Sequence, residues 1–124
     1  MSKPSDCISV TEAKALQANW MATHEPNPSS LGGGPPEQVC AVTFSIDQLE
    51  EYLAYIKTES AKQGIPKPGI RVYFAAYNGG TEAEVAGSTT VFFCPTENDG
   101  GNSANNYGID PMNKGGNGWP PNAY

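Results

Sequence analysis

A single arginine, a single histidine and three cysteines carry most of the chemistry open to this 124-residue chain. Arg71 lies inside "GIRVYFAAYNGG", the most apolar stretch, where a guanidinium is costly unless carboxylates or other acceptors receive its donors. Three uses fit it: a clamp on an anionic ligand, a salt bridge to one of the many acids, or an exposed place on a wet sheet face. A Ser-His or Cys-His catalytic pair would depend on His24, which falls beside Pro26 at the end of a predicted helix. A helix C-terminus favours the cationic imidazole, so a charge-dipole role suits His24 better than general-base work. Cys7, Cys40 and Cys94 are odd in number and widely separated, which opposes a disulfide framework and makes reduced thiols the default. With His24 they formally make a Cys3His zinc set, but none shows the C-x2-C spacing that pre-orients two ligands.

The acids are no better placed. Glu50 and Glu51 are neighbours on a predicted helix and diverge by about 100° around its axis, too far to converge on a glycosidic bond. Glu82 and Glu84 would share one strand face without a further ligand cluster nearby. The run "TENDGGNSANNYGID" has the composition of a calcium loop. However, Pro95 and Glu97 stand where an EF-hand needs Asp or Asn ahead of Asp99-Gly100, and Asn106 replaces the closing Glu. Asn/Gly turns binding their own backbone are the simpler expectation. With no G-x-S-x-G elbow, H-E-x-x-H helix or P-loop, the sequence predicts no catalytic residue, no metal and no cofactor.

The elements that would position these groups follow from periodicity. Ser9 and Glu12 form a capping box that opens a helix through "SVTEAKALQANWMATHE", with Ala13, Leu16, Trp20 and Met21 as its apolar stripe. A Pro/Gly/Ser loop over 26–36 leads into a short β-branched strand, "QVCAVTF". Ser45 and Gln48 then cap a second helix whose Leu49, Tyr52, Leu53 and Ile56 fall at i, i+3, i+4 and i+7. Gly64 stops it, and Pro66 and Pro68 prevent continuation. From Ile70 the pattern alternates: Ile70, Val72, Phe74 and Ala76 on one side; Arg71, Tyr73, Ala75 and Tyr77 on the other. Asn78-Gly79-Gly80 can turn the chain toward the returning strand "STTVFFCP".

These elements predict one α+β domain over 1–124. In it, two helices pack on a small three-stranded antiparallel or mixed sheet over 8–95, followed by a long Gly/Asn/Pro-rich irregular segment over 96–124. The sheet face bearing Arg71, Tyr73, Tyr77 and Phe92 needs cover, from that segment or from another chain. A net charge of -6 opposes phosphate backbones and anionic lipid, no apolar run reaches the roughly 20 residues of a membrane span, and "MSKPSDC" lacks a secretory pattern. A cytoplasmic protein with neither nucleic-acid nor membrane partners is the expectation.

Tyr107, Trp119, Pro120, Pro121 and Tyr124 make the C-terminal segment aromatic and nearly uncharged, a composition suited to docking in cis or on a neighbouring subunit. "WPP" also pre-sets an extended backbone and lowers the entropy lost on docking. Together with Arg71, Tyr73 and Tyr77, these are the candidate contacts of a non-enzymatic protein that binds itself or another protein. A small-ligand or cation-binding module is the alternative. An enzyme would have to rely on Cys94, Tyr or carboxylates without a nearby histidine. The motifs "ISVTEAKALQANW", "FSIDQLEEYLAYIK", "GIRVYFA" and a late "PP" resemble small uncharacterised single-domain proteins of Bacteroidetes bacteria. The glycines at 32–34 and the long Asn/Gly tail depart from the shorter forms, and the resemblance implies no activity.

Overall fold

The computed structural model describes residues 2–23, 40–76, 89–114 and 116–118. The elements run α1 (Val10–Thr23), β1 (Ala41–Thr43), α2 (Ile46–Lys62), β2 (Gly69–Ala76), β3 (Thr89–Thr96) and β4 (Gly116–Gly118), an α+β architecture. Both predicted caps form. Ser9 Oγ accepts the Glu12 N–H at 3.0 Å, and Ser45 Oγ accepts that of Gln48 at 3.0 Å. Gln48 does not close its box; its side-chain amide donates instead to the Lys114 carbonyl at 3.3 Å. The end of α2 is a Schellman turn: Ile65 N–H reaches the Ser60 carbonyl at 2.9 Å and Gly64 N–H that of Ala61 at 3.1 Å. Gly64 takes φ +76°, the left-handed conformation that a side chain disfavours.

β2 and β3 pair antiparallel in unbroken register from Gly69↔Thr96 to Ala76↔Thr89. Opposite partners share a face, so Ile70, Val72 and Phe74 join Pro95, Phe93 and Val91, while Arg71 and Tyr73 join Cys94 and Phe92. The Tyr73 and Phe92 rings stack at 5.2 Å, as the expected faces require. The predicted turn at 78–80 and residues 81–87 lie outside the described residues.

The expected three-stranded sheet is not what the described residues form. β1 pairs with β4 (Ala41↔Gly118 to Thr43↔Gly116) in a separate two-stranded sheet. The outer edge of β3 is closed to β1, being already taken by the C-terminal segment through antiparallel bridges Thr96↔Asn105 and Phe93↔Met112. Phe93 exchanges both backbone bonds with Met112, at 2.8 and 2.9 Å, and Glu97 and Pro95 bond Ala104 and Asn106. Between the bridges the segment takes seven residue steps where β3 takes three, so it must bow outward. Pro95 permits this: it has no N–H to offer that edge, and the bow falls beside it.

Ile109, at the bow, is 2% exposed and packs with Tyr52 and Ile56 of α2, and with Phe93 and Met112. Residues assigned by sequence to the irregular segment thus complete the core. α1 contributes little. Ala13, Ala15, Ala18 and Ala22 favour helix but carry almost no apolar volume; none of the helix is buried, and Leu16 is 61% exposed. A groove of about 660 Å³ separates Leu16 and Trp20 from Val72, Phe74 and Val91.

Two substitutions test this arrangement. A Cβ on Gly69 would sit 2.5 Å from Thr96 Oγ1 and 2.9 Å from the Asn98 carbonyl oxygen, so Gly69→Ala is expected to destabilise by about 1–3 kcal/mol in urea titration. The Tyr52 hydroxyl donates to the Asp110 carbonyl at 2.8 Å, with that of Phe93 3.2 Å away. Burial, aided by Cys94, Tyr55 and Asp110, pushes this phenol up to about 12 from 10.0. A raised folded pKa means stability present below the unfolded value and lost as pH climbs through the folded one. Wild type should therefore lose stability between pH 10 and about 12 faster than Tyr52→Phe, measured by urea midpoints across that window.

Candidate functional site

The face carrying Arg71 and Tyr73 is covered by the chain's own residues 97–111, held by one amide. Asn105 Oδ1 accepts from Arg71 Nη1 at 2.6 Å and from the Cys94 thiol at 3.7 Å. Its Nδ2 donates to the hydroxyls of Tyr73 at 2.7 Å and Tyr107 at 3.5 Å. Arg71 Nη2 donates to the Gly101 and Ser103 carbonyls at 3.0 and 2.9 Å. Among the described residues the guanidinium is met by neutral oxygens of a loop and not by the salt bridge offered as one expectation. Among the described residues the one ion pair is Lys62–Glu59, on the surface of α2.

Why this loop folds against Arg71 is local chemistry. Asn98 Oδ1 accepts the Gly100 N–H at 2.9 Å and Asn106 Oδ1 that of Gly108 at 3.0 Å, two Asx turns that reverse the chain without a helix or strand. Ser103 Oγ accepts the Asn98 N–H at 2.9 Å and closes the first. These turns aim the 101 and 103 carbonyls at the guanidinium. In the run that resembled a calcium loop, the amide oxygens of Asn98 and Asn106 are thereby engaged with backbone donors, and that of Asn105 with Arg71 and Cys94. No group of three or more His, Cys, Asp or Glu side chains among the described residues is placed to hold a metal ion.

Asn105, the hub, was missed by sequence reasoning. Its signal was available only as one Asn in an Asn/Gly-rich run, and nothing in the spacing marks it as a partner of Arg71, 34 positions earlier. Of the predicted contacts, Arg71, Tyr73 and Tyr107 are brought together, with Tyr107 89% exposed. Tyr77, Trp119, Pro120, Pro121 and Tyr124, like His24, Glu82 and Glu84, lie outside the described residues. Burial pushes the Cys94 thiol up, against the opposing pull of Arg71, the reverse of what an activated thiolate needs. Glu50 and Glu51 are exposed on α2.

Tyr73, Phe92, Cys94, Asn105, Tyr107 and Ile109 are among the residues that line a cavity of about 360 Å³. It joins apolar walls to a few fixed polar groups, the usual composition of a small-ligand pocket. No helix among the described residues is long and apolar enough to cross a membrane. Comparison with protein-family models, curated proteins and solved structures gave no match.

Replacing Asn105 by Ala removes the acceptor of a charged donor together with the donor to Tyr73. A loss of about 2–3 kcal/mol is expected by chemical denaturation, with Arg71→Lys showing a smaller loss because its ammonium keeps some of the loop carbonyls.

Proposed function

We propose that this chain is a non-enzymatic interaction protein that self-associates, two copies pairing through the outer edge and apolar face of β2. The observation that carries this reading is the state of β2. Among the described residues its eight-residue length pairs on one edge only, and Ile70, Val72 and Phe74 are exposed, Phe74 at 85%. Natural edge strands are usually blunted by Lys, Pro, bulges or cover. β2 has no Lys or Pro, its register is continuous, and its one charge, Arg71, faces the other side and is held by the chain's own loop.

A second copy is the occupant that this edge suits. An antiparallel strand can pair with itself about a two-fold axis, so one patch serves both partners and the contact closes. Pairing would satisfy the free backbone groups and bring both Ile70-Val72-Phe74 rows onto one continuous sheet. The net charge of -6 per chain opposes association at long range, so raised salt should strengthen it. Trp119, Pro120, Pro121 and Tyr124 begin directly after Gly118, the partner of Ala41, and are assigned no part in the β2 contact.

Light scattering across protein concentration tests the reading. The full chain should move from 13.1 kDa toward twice that mass, at lower concentration when salt is raised. Phe74→Lys, at a position already exposed, should keep the fold and remain monomeric. A chain ending at Gly118 should associate as the full chain does. A monomer at every concentration, or a Phe74→Lys variant that associates like wild type, would sink the proposal. Loss of association on shortening alone would move the contact to the aromatic terminus.

A further inference from the structure

We propose that the cavity beside Asn105 is a binding site for a small carboxylate carried on an apolar body, such as an aromatic acid. The inference is independent of self-association, because the cavity opens on the opposite face of the β2–β3 sheet from Ile70, Val72 and Phe74.

Its polar end is built for an acceptor. Asn105 Nδ2 donates to the hydroxyls of both Tyr73 and Tyr107, so each phenol oxygen is already an acceptor and each O–H hydrogen is left to donate. Among the described residues neither hydrogen has an acceptor. Because both hydroxyls bond one NH2 group, they stand close enough to reach the two oxygens of one carboxylate.

Charge favours an anion over a neutral carbonyl. The Arg71 guanidinium is met by no carboxylate among the described residues and bonds Asn105 Oδ1 at 2.6 Å. Its charge polarises that amide, which in turn polarises the two phenols it donates to, so each link strengthens the next toward a negative ligand. A cation would meet hydrogens rather than lone pairs. The walls supply the rest: the Tyr73 and Phe92 rings, stacked at 5.2 Å, with Ile109 and Pro111, favour a flat apolar body. At about 360 Å³ the space suits a single ring with a short substituent rather than a long chain.

Titration of the labelled full chain with sodium benzoate, followed by ¹H–¹⁵N spectra, tests this. The Asn105 side-chain amide should shift saturably. Benzamide, which has the same ring without the charge, should bind roughly tenfold more weakly, as expected for loss of a charge-assisted hydrogen bond. Tyr107→Phe removes one donor at an exposed position and should leave the spectrum folded while weakening benzoate about tenfold; Tyr73→Phe should do the same at a half-buried position. The absence of a saturable shift, equal affinity for benzamide, or unchanged benzoate affinity in a folded Tyr107→Phe chain would each overturn the assignment.

Discussion

The fold depends on residues 105–114 being held between β3 and α2. On one side Phe93 and Met112 exchange backbone hydrogen bonds, and Asn113 Nδ2 donates to the Val91 carbonyl at 2.8 Å. On the other, the segment meets α2 at three places: Gln63 Oε1 accepts from Asn106, Tyr52 donates to the Asp110 carbonyl, and Gln48 donates to that of Lys114. The order of these contacts makes the segment run antiparallel to the helix. Ile109 sits at the centre and fills the space between Tyr52, Ile56 and Phe93. Without it α2 has no described apolar partner of comparable burial, and a helix in water is held chiefly by packing of one face. The irregular segment is therefore a structural layer, although it adds no long element of its own.

A chain this small, with so many Gly and Pro residues, has little apolar volume with which to order its loops. Polar geometry takes over part of that task. Arg71 fixes the 101–105 loop through two carbonyls and one amide, and a guanidinium is suited to it because its donors diverge in a plane and meet several acceptors at once. In a partly desolvated setting such bonds are strong, and leaving any of them unmade is correspondingly expensive. The same arrangement ties loop order to one side chain, Asn105, which serves Arg71 and the phenols together.

Much of this organisation was legible and some was not, for identifiable reasons. Helix caps at Ser9 and Ser45, the stop at Gly64 and the alternation of β2 are local, so they survive folding unchanged. The partner of β1 is not local. Residues 41–43 carry a strand preference that any edge could satisfy; they pair with β4, and the edge of β3 is lost to them in competition with the C-terminal segment. That competition depends on Pro95, whose missing N–H reads in sequence as a strand-ending signal and acts here as a tolerance for the bow around Ile109. α1 shows the limit of periodicity: its stripe has the right spacing, yet no residue of the helix is buried and Leu16 stays 61% exposed. Asn105 shows the limit of composition, since an amide in an Asn/Gly run gives no hint of which side chain it will meet.

The two faces of the β2–β3 sheet consequently differ in what they leave unsatisfied. Among the described residues the Arg71 charge is met by the chain's own loop, and what remains on that face is a pair of phenol hydrogens beside a small cavity. On the Phe74 face the helices border grooves without filling them, and what remains is apolar area next to a strand edge with no partner among the described residues. Residual hydrogen-bond donors discriminate among small solutes by charge and acceptor geometry, whereas residual apolar area and backbone select another polypeptide by shape and register. One alternating strand thus presents two chemically different surfaces on opposite sides, because successive side chains of β2 point to opposite faces. Closing the Arg71 face with the chain's own segment is what makes the two surfaces differ, since loop carbonyls and the Asn105 amide take up that face's guanidinium while the Phe74 row stays exposed.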